Sequence, residues 1–137
     1  MAHWLMKTEP DDYSWDRLVA EGETEWSGVR NYAAALNMRA MQVGERAFFY
    51  RSMVDPAIVG IMAIATEAYP APDDPKGKFV RLMVKPVRPL AKEVSLAAVK
   101  ADGRFTEMAL LRQSRLSVGP VTEAHWKLLC QMGGVDP

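Results

Sequence analysis

Trp26-Ser27-Gly28-Val29-Arg30-Asn31-Tyr32 is the stretch on which the reading of this 137-residue chain turns. Two large aromatics, a guanidinium and a carboxamide fall within seven residues, around a glycine that leads into a helical pattern. A flat polar ligand such as a nucleobase asks for this chemistry. Aromatic faces stack on its ring, while Arg and Asn supply forked or paired hydrogen bonds to a phosphate or a base edge. The same residues also suit an ordinary helix start with Trp26 and Tyr32 packed in a core.

Working outward, residues 3–7 read as a short first strand ended by Glu9-Pro10. Ser14 is placed to cap a helix carrying Trp15, Leu18 and Val19, with Gly22 as its stop. Residues 23–29 read as a loop, and 30–42, rich in Ala, Leu and Met, as a helix ending before Gly44. Downstream, 46–51 reads as an aromatic strand, Asp55-Pro56 as a turn, and the apolar run 57–66 as a strand buried on both faces. Residues 70–77 form a loop by composition. Residues 78–85 alternate, with Val80, Leu82 and Val84 on one face and Phe79, Arg81, Met83 and Lys85 on the other. Pro86 and Pro89 either end this strand or hold it at a sheet edge. Ser95 caps a helix at 96–101, Thr106 another at 107–113, residues 115–118 form a last strand, and Thr122 caps a terminal helix bearing Trp126 and Cys130. The pattern indicates a small α+β domain with a curved or closed sheet, not alternating βαβ units.

The totals fit one domain, 1–137, with an apolar fraction of 49% and a charged fraction of 25%. No apolar run approaches a membrane span, and the amino terminus lacks the parts of a signal peptide, so a cytoplasmic protein is expected; a monomer is the expected oligomeric state. Net charge is zero, from 17 basic and 17 acidic residues, unlike a protein that coats nucleic acid indiscriminately. Residues 9–25 hold seven acids against Arg17, and residues 76–104 hold eight bases against Glu93 and Asp102. Either one face is basic or the two sets interleave on folding.

Metal and cofactor sites are not expected. His3 and His125 lie at opposite ends, Cys130 is the single cysteine, and no glycine-rich run precedes a Lys-Ser or Lys-Thr pair. Cys130 sits in an apolar helical pattern as a buried thiol would. Asp73-Asp74, between prolines, reads as a solvated turn. Lys7-Thr8-Glu9 suits a strand terminus or an acid–base group. The remaining polar and aromatic residues at predicted strand ends and loops, Lys7, Thr8, Trp26, Arg30, Asn31, Tyr32, Ser52, Tyr69, Arg112, Arg115 and Ser117, suit binding, with no nucleophile matched to a base.

These residues carry a family resemblance. Trp4-Leu5-Met6-Lys7-Thr8-Glu9-Pro10 resembles the opening motif of EVE domains, Trp-x-Met-Lys-Ser-Glu-Pro, and residues 26–32 resemble their Trp-x-Gly-Val-Arg-Asn-Tyr motif. Gly44–Tyr50, the Ile58-Val59-Gly60 turn, Glu67–Pro70 and Arg115–Pro120 follow in the family's order. The resemblance implies a PUA-like fold, a small β-barrel with helices at its ends. It also implies a reader that takes one modified, flipped base of DNA or RNA into an aromatic-lined pocket. YTH readers of methylated adenine are structural cousins, and bacterial members occur alone or fused to nucleases. The chain departs from the family where Ala33-Ala34-Ala35-Leu36 replaces Gln-Ala-Arg-Asn, Arg51 replaces a His and Phe79 a Trp. An ASCH-like ribonuclease using Lys7 and a sensor of a free nucleoside or planar metabolite are the alternatives.

The expected ligand-binding set is Lys7, Thr8, Trp26, Val29, Arg30, Asn31, Tyr32, Ser52, Tyr69, Phe79, Arg112 and Ser117, with no catalytic residue. Arg51, Arg81 and Lys85 are the expected phosphate contacts. Trp26 and Tyr69 are expected to form an aromatic wall, so that Trp26→Ala costs roughly 1–3 kcal/mol of ligand binding, about one stacking contact, and little stability.

Overall fold

Residues 46–51 and 57–64 are apolar on both strand faces, and the structure places a hydrophobic core against each. The computed structural model describes all 137 residues, Met1–Pro137. In chain order the elements are β1 (His3–Thr8), α1 (Trp15–Glu21), β2 (Thr24–Trp26), α2 (Tyr32–Ala40), β3 (Arg46–Arg51), β4 (Ala57–Ile64), β5 (Tyr69–Pro70), β6 (Val80–Ser95), α3 (Leu96–Ala101), a 3-10 turn (Gly103–Phe105), α4 (Ala109–Arg112), β7 (Val118–Val121) and α5 (Glu123–Met132). The strands join in the order β2-β6-β4-β3-β1-β7, with β5 also on β6. This mixed sheet curls into a half-barrel. Only β1 and β3 pair in parallel, with His3 opposite Arg46 and Thr8 opposite Arg51.

Side-chain alternation builds the two cores. Trp4, Met6, Ala47 and Phe49 enter one, with Leu18 of α1, Ala34 and Met38 of α2, and Trp26. Leu5, Phe48 and Tyr50 enter the other, with Val99, Phe105, Leu110, Trp126, Leu129 and Cys130. Trp126 stacks on Phe48 with ring centroids 3.9 Å apart. Cys130 is buried, and burial pushes its thiol pKa up to about 11. Within β4 the parity changes: Ala57 and Val59 share a core with Met62 and Ile64. A register irregularity between Ile58 and Gly60 accounts for the change.

Ser14, Ser95 and Thr122 cap α1, α3 and α5 by accepting from Arg17, Ala98 and His125 N–H, as their positions in the sequence indicate. Several boundaries differ. Thr24–Trp26, expected as loop, is β2, which pairs antiparallel with Val84, Met83 and Leu82. Three residues are too few to show a period. The strand expected at 78–85 is the 16-residue β6, which runs through Pro86 and Pro89. At Pro86 and Pro89 this strand pairs with β4 alone and its other side is an open edge, where a proline is tolerated. β7 begins at Val118, and Arg115–Ser117 lead into it as a connection. Thr106 does not cap α4. That helix starts after Met108 with no side-chain cap. α2 begins at Tyr32 because Asn31 is its N-cap, and β4 ends at Ile64.

Glu45 is the charged residue of the core, 5% exposed. Its carboxylate accepts from Ala2 N–H (3.0 Å), Trp4 Nε1–H (3.0 Å) and Gln42 N–H (2.8 Å). Burial alone would raise its pKa, but the donors from Gln42, Trp4 and Ala2 outweigh it and hold the carboxyl below its ordinary value.

Candidate functional site

Parallel pairing puts the carboxyl ends of β1 and β3 side by side. Ser52 N–H donates to Thr8 O (2.9 Å), and Lys7 N–H donates to Ser117 O (2.8 Å). The segments after β3 and before β7 are thereby tied to the end of β1. β2 delivers Trp26, and the chain from Ser27 to Arg30 then turns toward α2. Gly28 makes that turn at φ 79°, where a side chain would be strained although a Cβ would meet nothing within 4 Å. These segments enclose a cavity of about 760 Å³.

The lining is rich in hydroxyls, from Thr8, Tyr13, Thr24, Ser27, Ser52, Ser114 and Ser117. Trp26 is its large apolar surface. That side chain is only 6% exposed and meets Phe49 edge-on at 5.9 Å and 88°, so it belongs to core and cavity together. Lys7, Arg17, Arg30 and Arg115 face Glu9, Asp12 and Glu25 around the cavity. The Lys7 ammonium donates to Ser114 O (3.0 Å), and burial pushes its pKa below the ordinary lysine value. Arg17 pairs with Glu21 (3.1 Å) and Arg30 with Asp73 (2.6 Å). Arg115 is exposed, makes no ion pair and also borders a smaller cavity of about 300 Å³ with Asn31, Ala33 and Gln113.

Of the expected ligand set, the large cavity gathers Lys7, Thr8, Trp26, Val29, Arg30, Ser52 and Ser117. The others lie outside its lining. Asn31 Oδ1 accepts from Ala34 N–H (2.9 Å), so capping α2 occupies the carbonyl end of its amide. Tyr32, 56% exposed, stacks on Phe79 at 5.4 Å, and Lys78 and Arg30 sit over these two rings. Tyr69 Oη donates to Glu25 Oε2 (2.6 Å), and burial followed by that carboxylate pushes its pKa up to about 12. Trp26 therefore shares the lining with Tyr13, not Tyr69. Arg112 points to Glu107 at 3.5 Å.

The expected phosphate contacts are largely committed. Arg51 grips Glu93 at 2.8 and 3.1 Å, and Arg81 pairs with Glu25 (2.9 Å) and Asp73 (3.2 Å). Lys85 stays exposed on β6. The sequence reading passed over Tyr13, Arg17, Thr24, Met53 and Ser114, which reach the cavity through long-range packing. Met53 had one local signal, an apolar pair with Val54 just before the Asp55-Pro56 turn.

The loop after β3 is unusual. Val54 N–H donates to Ser52 O (2.9 Å) across Met53, whose φ is 72°. This is a γ-turn of the rare, positive-φ kind. Asp55 follows at φ 46°. Such backbone costs about 1–3 kcal/mol per residue and persists only where its surroundings impose it. Here Arg51 imposes it by donating to Val54 O (3.2 Å) and Asp55 O (2.8 Å). No three or more His, Cys, Asp or Glu side chains come together to hold a metal ion, and no helix is long and apolar enough to cross a membrane.

The model of the EVE domain family matches residues 2–132. The chain belongs to the EVE domain family. It is 34% identical to human thymocyte nuclear protein 1, over 99% of this chain and 76% of that protein. A solved structure of that human protein, in complex with 5-methylcytosine-containing DNA, superposes with a TM-score of 0.91 at 31% identity, all of both chains being covered. A Rhodopseudomonas palustris protein solved by NMR is 53% identical, with a TM-score of 0.92 over 98% of this chain and 94% of that one. The YTH domain of a Zygosaccharomyces rouxii protein, in complex with N6-methyladenosine RNA, shares the fold alone, at 11% identity, a TM-score of 0.62 and coverage of 99% and 88%. The half-barrel is thus the PUA-like fold.

Proposed function

We propose that this EVE domain is a reader of modified nucleic acid, which takes a single extruded base into the cavity beside Trp26. The observation that carries this reading is the cavity itself. It sets the rings of Trp26 and Tyr13 among hydroxyls and backbone at the joined ends of β1 and β3. The human relative's complex with 5-methylcytosine DNA supports the same reading. Lys7, Thr8, Val29, Arg30, Ser52 and Ser117 are the proposed polar and backbone partners of the base and its sugar. The lining offers no nucleophile hydrogen-bonded to a base, so binding, not hydrolysis, is the assigned role.

Energetics require more than the base. Stacking contributes roughly 1–3 kcal/mol per base, and extruding a base costs a few kcal/mol. The two nearly cancel, so phosphate contacts must supply the affinity. Arg115, unpaired at the junction of the two cavities, is the proposed principal contact, with Lys85 more distant.

The test is a titration with oligonucleotides that differ only at one base, 5-methylcytosine against cytosine in DNA and N6-methyladenosine against adenosine in RNA. One modified strand is expected to bind more tightly than its unmodified partner and than the free nucleoside. Equal affinity for the free nucleoside would identify a small-molecule sensor instead. RNA cleavage by the wild type that disappears in Lys7→Ala would overturn the binding role. Because Trp26 is also core, Trp26→Ala is expected to lose about 3–5 kcal/mol of folding free energy, measurable by denaturant titration. Trp26→Phe, which keeps a ring in the core, is the variant for ligand binding.

A further inference from the structure

Met53 is 74% exposed and Val54 is 59% exposed, although both are apolar. They form the tip of the γ-turn after β3, and Met53 stands at the cavity's lining beside Ser52. A polar residue or glycine would suit this exposed, positive-φ position far better. The tip is not slack. Arg51 fixes the carbonyls of Val54 and Asp55, and Glu93 holds the far side of the same guanidinium with both oxygens. A buttressed loop therefore carries an unbranched apolar side chain into solvent beside the cavity.

A base that leaves a duplex for such a cavity leaves a gap in the stack. Proteins that open duplex steps insert apolar wedges between bases, methionine among them, and a wedge of that kind can occupy such a gap. We propose that Met53, with Val54 behind it, enters the stack of a DNA duplex and fills the place of the extruded base. This inference rests on the reader assignment and extends it to double-stranded targets, with Met53 as a positioning residue that stabilises the extruded state. Arg51 then has a role other than phosphate contact, as the brace of the wedge.

The experiment compares the wild type with Met53→Asn and Met53→Gly, two residues that accept positive φ and so keep the fold. The probes are a short DNA duplex with one 5-methylcytosine opposite guanine and the methylated strand alone. A 2-aminopurine beside the target reports unstacking. Both variants are expected to lose about tenfold more affinity for the duplex than for the single strand, the loss of one contact of stacking size. They are also expected to quench the 2-aminopurine emission that the wild type induces. Equal losses on duplex and strand, or unchanged emission, would overturn the wedge and leave the reader standing. Failure of the wild type to bind either probe would overturn the reader assignment for this base, and the wedge with it.

Discussion

At the scale of single residues, two side chains show how a sequence motif acquires its meaning from neighbours. Glu45 lies in a motif recognised from the sequence, yet its role appears only when Ala2, Trp4 and Gln42 converge on its carboxylate. Glu45→Gln presents an amide to donors that need an acceptor. It is expected to lose roughly 1–3 kcal/mol, the cost of a buried donor left unsatisfied, as read by thermal denaturation at neutral pH. The folded-state pKa of Glu45 lies below its ordinary 4.5. Its contribution is therefore complete above that value and is lost as pH falls through the lowered one. The gap between wild type and variant should narrow on acidification over that window, and a constant gap would show that the charge is immaterial. Asn31 makes the complementary point. An Asn before an Ala-rich helix signals a cap as strongly as it signals a ligand, and the cap is what the structure uses.

At the scale of elements, the bulge in β4 is the decisive irregularity. It moves Met62 and Ile64 onto the face of Ala57 and Val59, so that parity reverses along the strand while both cores stay filled. Gly60 sits at this point, where an added Cβ would lie 2.6 Å from the Trp15 ring of α1. Trp15 is a rigid ring held edge-on to Phe49 at 5.5 Å. Gly60→Ala is expected to force α1 outward and destabilise the fold by about 1–3 kcal/mol, the range for overpacking, measured by chemical denaturation. An unchanged midpoint would show that α1 can move freely. The caps at Ser14, Ser95 and Thr122 were legible because a cap is written within four residues. The alternation of 78–85 was legible for the same local reason. β2 was not, because it exists only by pairing with β6. The cavity was half legible. Motif residues at the ends of β1 and β3 meet there, but Tyr13, Thr24 and Met53 arrive through non-local strand pairing and loop closure, which no local pattern records.

At the scale of the whole molecule, the charge blocks seen in the sequence interleave in part. Glu25, from the acidic stretch, pairs with Arg81 from the basic one, and Glu93 pairs with Arg51. Asp73 takes Arg30 and Arg81, and Asp102 takes Arg104. With 17 bases against 17 acids, the chain has no net charge to attract a polyanion. Long-range attraction is weak, and affinity depends on a small number of local contacts near the cavity. Counterion release then sets a measurable limit. The slope of log affinity against log salt for methylated duplex DNA should correspond to only about two to four phosphates. Arg115→Ala should reduce that slope by about one contact, with affinity falling for modified and unmodified strands alike, because a phosphate carries no base information. Arg81→Ala should leave the slope nearly unchanged, since Glu25 and Asp73 already neutralise that guanidinium. Fluorescence anisotropy over a salt series separates the two variants. If Arg81→Ala lowers the slope and Arg115→Ala does not, the nucleic-acid backbone crosses β6, not the loop before β7.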